Sequence, residues 1–521
     1  MSLLSVESVS VDFGATPAVR DVSFSLTAGE VLAVVGESGS GKTVTAMSLL
    51  GLLPGTASVR GKAFLNGRDL YSLSPTELRS VRGNEVGLVF QEPMSALNPV
   101  FTVGDQIVEA VRAHRSCSKS EARARAHELL GLVGLPVARF RAYPHEMSGG
   151  QLQRVVIAMA VANEPSLLIA DEPTTALDVT VQAEILALLR DLRGRLDAAI
   201  LLITHDMGVV ADIADRVVVM HDGRVVEQGP VFEIFASPQE EYTRQLLASV
   251  ISLGSAARPA RVVDTPVLRL DSLSVHYKKF RAVDDVSLEI GRGEVLGLVG
   301  ESGSGKSTIA GAITGLVPSY DGTITLSGQD ISSLRGSSLK KVRGRIGLVF
   351  QDPLSSLNPR ATIARSIAQP LLLHTSLRGS ALDQRVDALL DAVQLSAALR
   401  SRYPHELSGG QRQRVGIARA IALDPDLLIA DEPTSALDVS VQARILDLFR
   451  SLQESLKFAC LFISHDLAVV EQLADRVAVL HSGRVVEQGT HVFSAPADPY
   501  TQRLVAAAPV ADPVVQRARR S

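Results

Sequence analysis

Cysteine and long apolar runs are both scarce in this sequence. Cys117 and Cys460 are the only cysteines among 521 residues and stand in unlike contexts, which excludes a disulfide framework and a CxxC-type metal site and fits a reducing cytoplasm. Apolar runs such as 199–203 and 458–463 are far shorter than the roughly 18–20 residues that cross a bilayer. The first residues also lack a basic segment followed by an apolar one, so we expect neither a transmembrane helix nor a secretion signal.

Charge of one sign is not in excess either. The chain has 52 basic and 56 acidic residues, and its net charge of −4 gives no overall attraction to nucleic acid or to anionic lipid. Apolar residues make up 46% of the chain, which is ample for large cores. At this length the composition predicts a globular protein of two large α/β units or of about three to four smaller ones.

What the sequence does contain is a repeat of itself. The segment GESGSGKT at 36–43 recurs as GESGSGKS at 300–307, and VFQEPMSALNP at 89–99 recurs as VFQDPLSSLNP at 349–359. Such self-similarity over a whole chain indicates a duplicated domain. In each copy, continuous apolar runs such as EVLAVVG lead into glycine-rich loops, as buried parallel strands do.

The predicted organisation is therefore two α/β domains in tandem, at 1–253 and 267–521, the second with a C-terminal extension. A linker at 254–266 is expected between them, because glycine, proline and small residues interrupt the apolar periodicity there. Helical spacing before each SGGQ segment predicts a helical insertion in each domain, at about 93–158 and 353–418.

The repeated G-x-x-x-x-G-K-[ST] segment has the pattern of a nucleotide phosphate loop. Its glycines let backbone N–H groups close on phosphate oxygens, its lysine places charge at the β and γ phosphates, and its last hydroxyl binds Mg²⁺. The helix that follows adds further N–H groups. The predicted phosphate-binding residues are Gly36, Ser38, Gly39, Gly41, Lys42 and Thr43 in the first copy and Gly300, Ser302, Gly303, Gly305, Lys306, Ser307 and Thr308 in the second.

An aspartate and a glutamate follow the apolar run LLIA in both copies. Asp171 and Asp431 end these runs, at the strand edge where open α/β sheets bind ligands, and a carboxylate there suits Mg²⁺. Glu172 and Glu432 come next and are predicted to accept a proton from the attacking water. An isolated Asp-Glu pair is usually a solvated strand end, but its repetition downstream of a phosphate loop favours catalysis.

The SGGQ segment opens an apolar-periodic helix in each copy. Glycines and a hydroxyl at a helix start form a second anion site. The predicted residues are Ser148, Gly149, Gly150, Ser408, Gly409 and Gly410.

A phosphate loop, a glutamine after an apolar strand, SGGQ, Asp-Glu, ALD and a strand-end histidine occur in that order twice. This order resembles the nucleotide-binding domains of ABC transporters over nearly the whole chain, and it implies tandem P-loop ATPase domains of the ABC type. The resemblance further implies glutamines that bind Mg²⁺ and link catalysis to a membrane partner, histidines at the γ-phosphate, aspartates in the loop between the halves, and aromatic residues that stack on adenine. The glutamines are Gln91 and Gln351, and the histidines are His205 and His465. The aspartates are Asp178 and Asp438, and the aromatic residues are Phe13 and Tyr277.

The subfamily resemblance is to ATP-binding proteins of dipeptide, oligopeptide and nickel importers. It is carried by RAYPHEMSGG and SRYPHELSGG and by the endings SPQEEYTRQLL and APADPYTQRLV, and the differences between the copies resemble two subunits fused in one chain. It implies ATP and Mg²⁺ as cofactors, with Lys42 facing Ser408 and Lys306 facing Ser148 across two shared sites. The cargo stays open among dipeptides, oligopeptides, glutathione and nickel.

The same resemblance implies the partners of the chain. They are two membrane permease subunits, one chain serving each pair, and through them an extracytoplasmic substrate-binding protein. No nucleic acid is expected, and the location implied is peripheral, at the cytoplasmic face of a bacterial plasma membrane. No iron–sulfur cluster is expected, because no cysteine follows Tyr500 and four thiolates are the usual requirement.

Two other classes share these motifs. Soluble tandem ABC ATPases of the ribosome carry a long charged linker, whereas the segment at 254–266 is short and has only scattered charges. DNA-repair ABC ATPases need a long coiled coil or zinc-binding cysteines. The interval from Lys42 to Ser148 is too short to contain a long coiled coil. The ribosomal class is the stronger alternative.

Overall fold

The computed structural model describes residues 2–175, 177–254, 265–278, 280–317, 320–435 and 437–519. They fall into two compact units, Met1–Leu177 with Val181–Val250 and Pro509–Ser521, and Asp178–Thr180 with Ile251–Ala508. The units differ from the predicted domains in the short segment Asp178–Thr180 and in the C-terminal segment Pro509–Ser521, each of which groups with the other copy. Most of the predicted linker, 255–264, lies outside the described residues.

The first unit contains two β-sheets. Its strands are β1 Ser2–Phe13, β2 Thr16–Thr27, β3 Val31–Val35, β4 Ala57–Leu65, β5 Arg68–Asp69, β6 Val86–Val89, β7 Leu167–Asp171, β8 Ala199–Ile203, β9 Arg216–His221 and β10 Arg224–Pro230. The four-stranded sheet has the order β2-β1-β4-β5 and the six-stranded sheet the order β10-β9-β3-β8-β7-β6. The six-stranded sheet is parallel except for the antiparallel pair β9 and β10.

Helices cover the six-stranded sheet of the first unit and build its insertion. They are α1 Lys42–Leu49, α2 Pro75–Val81, α3 Pro93–Ala96, α4 Val103–Arg112, α5 Lys119–Leu132, α6 Gly149–Ala160, α7 Val179–Leu196, α8 Met207–Ile213, α9 Val231–Ala236 and α10 Glu241–Ala248, with 3-10 helices at Leu70–Ser72, Val137–Arg141 and Pro144–Glu146. The insertion runs from α3 to α6, near the predicted 93–158. Local sequence sets its helix starts: Ser118 and Glu121 form a capping box at α5.

The second unit repeats this architecture. Its strands are β11 Pro266–Tyr277, β12 Phe280–Gly291, β13 Val295–Val299, β14 Asp321–Leu326, β15 Gln329–Asp330, β16 Ile346–Val349, β17 Leu427–Asp431, β18 Ala459–Ile463, β19 Arg476–His481 and β20 Arg484–Gly489. The sheet orders are β12-β11-β14-β15 and β16-β17-β18-β13-β19-β20. The tandem α/β fold with a helical insertion in each copy is confirmed.

The helices of the second unit match those of the first. They are α11 Lys306–Ile313, α12 Gly336–Arg343, α13 Pro353–Ser356, α14 Ile363–His374, α15 Gly379–Ala392, α16 Gly409–Ala420, α17 Val439–Leu456, α18 Leu467–Leu473 and α19 Pro499–Ala507, with 3-10 helices at Ala397–Leu399 and Pro404–Glu406. Across the described parts of both units, no helix combines the length and the apolar character needed to span a bilayer.

The central strands are apolar throughout because both of their faces are buried. In β7, Ile169 packs into the core beneath the four-stranded sheet, whereas the next residue, Ala170, packs into the core shared with the helical insertion. Side chains alternate between the faces of a strand, so a sheet covered on both sides needs apolar residues at every position. This explains the unbroken runs VLAVV, LLIAD and AILLI.

The parallel register brings the ends of these strands to one edge. Ile203, the last residue of β8, lies opposite both Val34 of β3 and Asp171 of β7, and Val89 of β6 lies opposite Ala170. The residues that follow β3, β6, β7 and β8 therefore emerge side by side. This is the edge at which open α/β sheets bind ligands.

The C-terminal segment is built into the first unit. Its helix, α20 (Pro513–Ala518), packs against α8. Arg517 donates from Nε to the carbonyl of Ala211 at 3.2 Å and from its guanidinium to the carbonyl of Ala214. Ala211 lies in the last turn of α8 and Ala214 caps its C-terminal end, where C=O groups have no partner within the helix. The negative end of the helix dipole also favours a cation at this position.

Replacing Arg517 with glutamine is expected to destabilise the first unit, because the carbonyls at the end of α8 lose their charged donor. We expect a loss of about 1–2 kcal/mol, since the site is partly exposed, seen by calorimetry as a lower temperature of one unfolding transition. Val514→Ala is the matched control on the same helix, because Val514 is 66% exposed. Equal transitions in the two variants would show that the bonds from Arg517 add no stability.

Candidate nucleotide-binding and catalytic sites

The predicted phosphate loop of the first unit joins β3 to α1, and its backbone path requires glycine. Gly36 has φ +146°, and a Cβ there would lie 2.1 Å from the carbonyl oxygen of Met220. Gly41 has φ +95°, and its Cβ would lie 2.8 Å from the carbonyl oxygen of Ala18. These are conformations that other residues rarely adopt, so the loop can pack directly on neighbouring backbone.

The loop lysine folds back onto its own loop. Lys42 is buried, and its Nζ donates to the carbonyls of Gly36 and Glu37, both at 2.8 Å. In the second unit Lys306 Nζ donates to the carbonyls of Gly300 and Glu301 at 2.7 and 2.9 Å. Burial lowers the pKa of Lys306. Each ammonium group is thus held at the loop centre.

The aspartate at the end of β7 meets the hydroxyl at the start of α1. Thr43 Oγ1 donates to Asp171 Oδ1 at 3.2 Å. Burial raises the pKa of Asp171 to about 6, although this hydrogen bond and Lys42 oppose the shift. In the second unit burial likewise raises the pKa of Asp431, against the hydrogen bond with Ser307. The structure thus joins the residues predicted to bind Mg²⁺, apart from the glutamines.

The glutamate after β7 contacts three neighbouring side chains. Gln91 Nε2 donates to Glu172 Oε2 at 2.7 Å, Thr175 Oγ1 donates to the same oxygen at 2.9 Å, and His205 Nδ1 lies 3.0 Å from Oε1. Burial opposes ionisation, but the hydrogen bonds and charges of His205, Thr175 and Lys42 outweigh it and hold the pKa of Glu172 below its ordinary value. The glutamine, glutamate and histidine predicted separately therefore form one cluster.

The second unit reproduces this cluster. Gln351 Nε2 donates to Glu432 Oε2 at 2.7 Å, and His465 Nδ1 lies 3.2 Å from Glu432 Oε1. Burial opposes the charge of His465, but the hydrogen bond and charge of Glu432 raise its pKa. The pKa of Glu432 is lowered in turn, burial being outweighed by His465 and Lys306.

The SGGQ serines cap their helices. Ser148 Oγ accepts from the backbone N–H of Gln151 at 3.4 Å, and Gln151 Oε1 accepts from the N–H of Ser148 at 3.3 Å. Ser408 and Gln411 form the same capping box at 3.3 and 3.0 Å. No contact joins either serine to the phosphate loop of its own unit in the described residues, and the facing of Lys42 with Ser408 stays a prediction.

Comparison with known protein families assigns the chain. The ABC transporter family matches residues 19–175 and 283–435, once in each copy and over more than half of the chain. The chain belongs to the ABC transporter family. It is accordingly a nucleotide-binding protein of the ABC ATPase type, and ATP hydrolysis is its reaction.

The subfamily follows from two further similarities. The C-terminal region of oligopeptide/dipeptide transporters matches residues 226–271. The glutathione import ATP-binding protein GsiA of Pectobacterium atrosepticum is 47% identical, with 96% of this chain and 87% of that protein covered. GsiA of Escherichia coli strain K12 is 46% identical, with 100% and 91% covered. The resemblance to peptide-importer ATP-binding proteins is thereby confirmed for this ABC ATPase.

The two aromatic residues predicted to stack on adenine differ in their surroundings. Phe13 ends β1 and packs against the core beneath the four-stranded sheet. Tyr277 ends β11, is 49% exposed and lies opposite Phe280 across the strand pair. Phe280 is also exposed and was not predicted from the sequence. The adenine role of Phe13 and Tyr277 stays a prediction.

The candidate site of the first unit contains one further residue, Thr175, and the contact made by this residue differs between the two copies. Thr175 donates to the carboxylate of Glu172, whereas Ser435, its counterpart, donates to the backbone carbonyl of Glu432 at 3.2 Å. Sequence reasoning missed Thr175, although its place in DEPTT, three residues after the glutamate, is a usable signal. Asp178 and Asp438, predicted in the loop between the halves, directly precede the long helices α7 and α17.

Alanine at Gly150 is expected to destabilise the first unit, whereas alanine at Gly149 is not. A Cβ at Gly150 would lie 2.3 Å from Cγ1 of Val181, which is stiff because it is β-branched on a helix, and overpacking costs about 1–3 kcal/mol. A Cβ at Gly149 would meet only Leu177, at 3.7 Å. Denaturant unfolding of both variants measures the difference, and equal stability would contradict the close approach of α6 to α7.

Proposed function

We propose that this ABC ATPase is the ATP-driven motor of an importer for short peptides, with glutathione, the substrate named for its relatives, as the first cargo to test. The observation that carries the proposal is that both units hold a complete set of predicted catalytic groups. In each, a buried loop lysine, a hydroxyl paired with an aspartate, and a glutamate bonded to a glutamine and a histidine share one edge of a parallel sheet.

The residues present fit ATP with Mg²⁺. Mg²⁺ prefers oxygen ligands and is usually bound through one or two protein groups together with substrate phosphates. Thr43 and Asp171 in the first unit, and Ser307 and Asp431 in the second, would hold it, with Gln91 and Gln351 beside them. When bound, the ion neutralises charge between the β and γ phosphates.

The side chains of each site have different roles in ATP hydrolysis. Lys42 and the N–H groups at the start of α1 bind the phosphates. Glu172, kept ionised by its neighbours, accepts a proton from the attacking water, and His205 and Gln91 orient its two carboxylate oxygens. Burial shifts the pKa of the adjacent Asp171 the opposite way, and a bound Mg²⁺ would favour the ionised form of that carboxyl group.

The double variant Glu172→Gln with Glu432→Gln is expected to bind ATP but to hydrolyse it about 10²–10⁴-fold more slowly, because the general bases are lost and the phosphate loops are intact. Cells that depend on this chain should then lose uptake of labelled glutathione or of a labelled dipeptide. Glu164→Gln with Asp424→Asn is the matched control, since both residues lie outside the sites at positive φ. Full turnover in the double variant would overturn the assignment of the bases.

Exposed apolar residues close to the catalytic glutamines support two permease partners. In the first unit we define a docking surface of four such residues, Phe90, Met94, Val100 and Phe101. In the second unit the corresponding segment keeps Phe350 and Leu354 exposed but has Arg360 and Ala361 where the first has Val100 and Phe101. Large exposed apolar side chains in one segment mark a protein interface. Two unlike surfaces fit two unlike permeases.

The remaining partners follow from this proposal. One chain would serve one pair of permeases, because it supplies both halves, and an extracytoplasmic substrate-binding protein would deliver cargo to the permeases. The chain would be peripheral, at the cytoplasmic face of the plasma membrane.

Replacing Phe101 with glutamate is expected to release the chain from membranes that contain its permease pair, while ATPase activity in solution is retained. Loss of a buried phenylalanine contact removes about 1.5–3 kcal/mol, which corresponds to at least about tenfold weaker binding. Val137→Glu, an equally exposed position of the same insertion, is the control. Co-sedimentation measures the outcome, and sedimentation with ribosomes without any permease association would favour the ribosomal alternative.

A further inference from the structure

A tyrosine from the C-terminal part of each unit reaches its phosphate loop. The backbone N–H of Glu37, the residue after Gly36, donates to the hydroxyl of Tyr242 at 3.2 Å. In the second unit the N–H of Glu301 donates to the hydroxyl of Tyr500 at 3.1 Å. Both tyrosines lie about 200 residues from the loops they contact, on α10 and α19. The same long-range contact has thus been kept in both copies.

The ring of each tyrosine is held by a histidine beside the loop. Tyr242 lies against His221 with ring centroids 4.0 Å apart and an interplanar angle of 32°. Tyr500 lies against His481 at 3.9 Å and 34°. Each histidine is the last residue of the strand next to the one that leads into the phosphate loop. The tyrosine hydroxyl is therefore fixed relative to the loop, not merely near it.

The segment that carries the tyrosine is anchored as well. The carboxylate of Glu227 accepts from the backbone N–H groups of Gln239 and Glu240 at 2.8 and 3.2 Å, just before α10. The carboxylate of Glu487 accepts from the N–H groups of Ala497 and Asp498 at 2.9 and 3.0 Å, just before α19. These bonds tie each segment to the strand β10 or β20 and set the start of the helix.

We propose that Tyr242 and Tyr500 are positioning residues that hold the two phosphate loops in the shape that binds ATP. The carbonyl of Glu37 accepts from Lys42, and phosphate oxygens compete for that same ammonium group. The tyrosine bond instead acts on the N–H side of Glu37 and does not use the lysine. The tyrosine can therefore maintain the loop when Lys42 turns to phosphate.

The contact is neutral and needs no proton transfer. Burial raises the pKa of Tyr500 to about 12, so its hydroxyl is protonated at neutral pH. This inference rests on the proposed role of the two loops in binding ATP. It extends that role to the C-terminal segments, which in the first copy lie inside the region shared with oligopeptide/dipeptide transporters.

The test is the variant Tyr242→Phe with Tyr500→Phe in the full chain. Phenylalanine keeps the ring against the histidine and removes the hydroxyl acceptor. We expect the KM for MgATP and the Kd of a fluorescent ATP analogue to rise about fivefold, the ratio that one ordinary hydrogen bond represents. We expect kcat to stay within about twofold, and the unfolding temperature to fall no further than in a control that also loses two tyrosine hydroxyls.

The control is Tyr71→Phe with Tyr320→Phe. These hydroxyls form hydrogen bonds with Ser48 and Ser332 and not with a phosphate loop. The control therefore measures the general effect of removing two partly buried tyrosine hydroxyls. A rise in KM confined to the Tyr242 and Tyr500 variant supports positioning. An unchanged KM, or a fall in kcat and unfolding temperature beyond the control, overturns it.

A second comparison separates this inference from the function beneath it. Lys42→Ala with Lys306→Ala should abolish ATP binding if the loops bind phosphate. If the lysine variant loses binding but the tyrosine variant behaves as its control does, only the positioning role fails. If the lysine variant still binds and hydrolyses ATP, the proposed role of the loops fails with it.

Discussion

The parallel register of the central strands is the constraint on which the rest of each unit depends. In the first unit Ile203 lies opposite both Val34 and Asp171, so the phosphate loop, the carboxylates and the strand-end histidine leave the sheet together. A shift of one residue in the register of a central strand would turn each of its side chains to the other face of the sheet. It would also move the loop lysine away from the glutamate. Because both faces of these strands are buried, such a slip would also disturb two cores at once, which fixes the register strongly.

Duplication has kept the shared chemistry but not every contact. In both copies the glutamate contacts a glutamine and a histidine, and the phosphate loop donates a hydrogen bond to a tyrosine hydroxyl. In the part of the chain that the structure describes, Glu172 also accepts a hydrogen bond from the hydroxyl of Thr175, whereas the counterpart Ser435 donates to a backbone carbonyl. The first unit has exposed Val100 and Phe101 where the second has Arg360 and Ala361. The shared contacts therefore lie at the phosphate loops and at the two carboxylate oxygens of each glutamate, and the differences lie in an added hydroxyl contact and at the proposed membrane contacts.

Sequence patterns predicted the parts of the site that are local or that end a strand. The phosphate loop is contiguous, and Asp171 and His205 each follow an apolar run, so their common edge could be inferred from sheet topology alone. The bond from Tyr242 to Glu37 spans 205 residues and has no local pattern; its segment contributed only to the family resemblance. The docking of Arg517 on the last turn of α8 was missed for the same reason, because neither partner carries a signal of the other.

The backbone conformation of the proposed general bases shows how the cluster around them is held together. Glu172 and Glu432 have φ of 48° and 46°, a left-handed conformation that is costly for a residue with a side chain, of the order of 1–3 kcal/mol. Their N–H groups donate to the last carbonyls of β8 and β18, of Ile203 and Ile463, at 2.8 and 2.9 Å, and their carboxylates hold the bonds to glutamine and histidine. These hydrogen bonds offset the strain only while the strand ends stay aligned. The turn that directs each carboxylate toward this edge of the sheet is therefore maintained by the same register that places the phosphate loop.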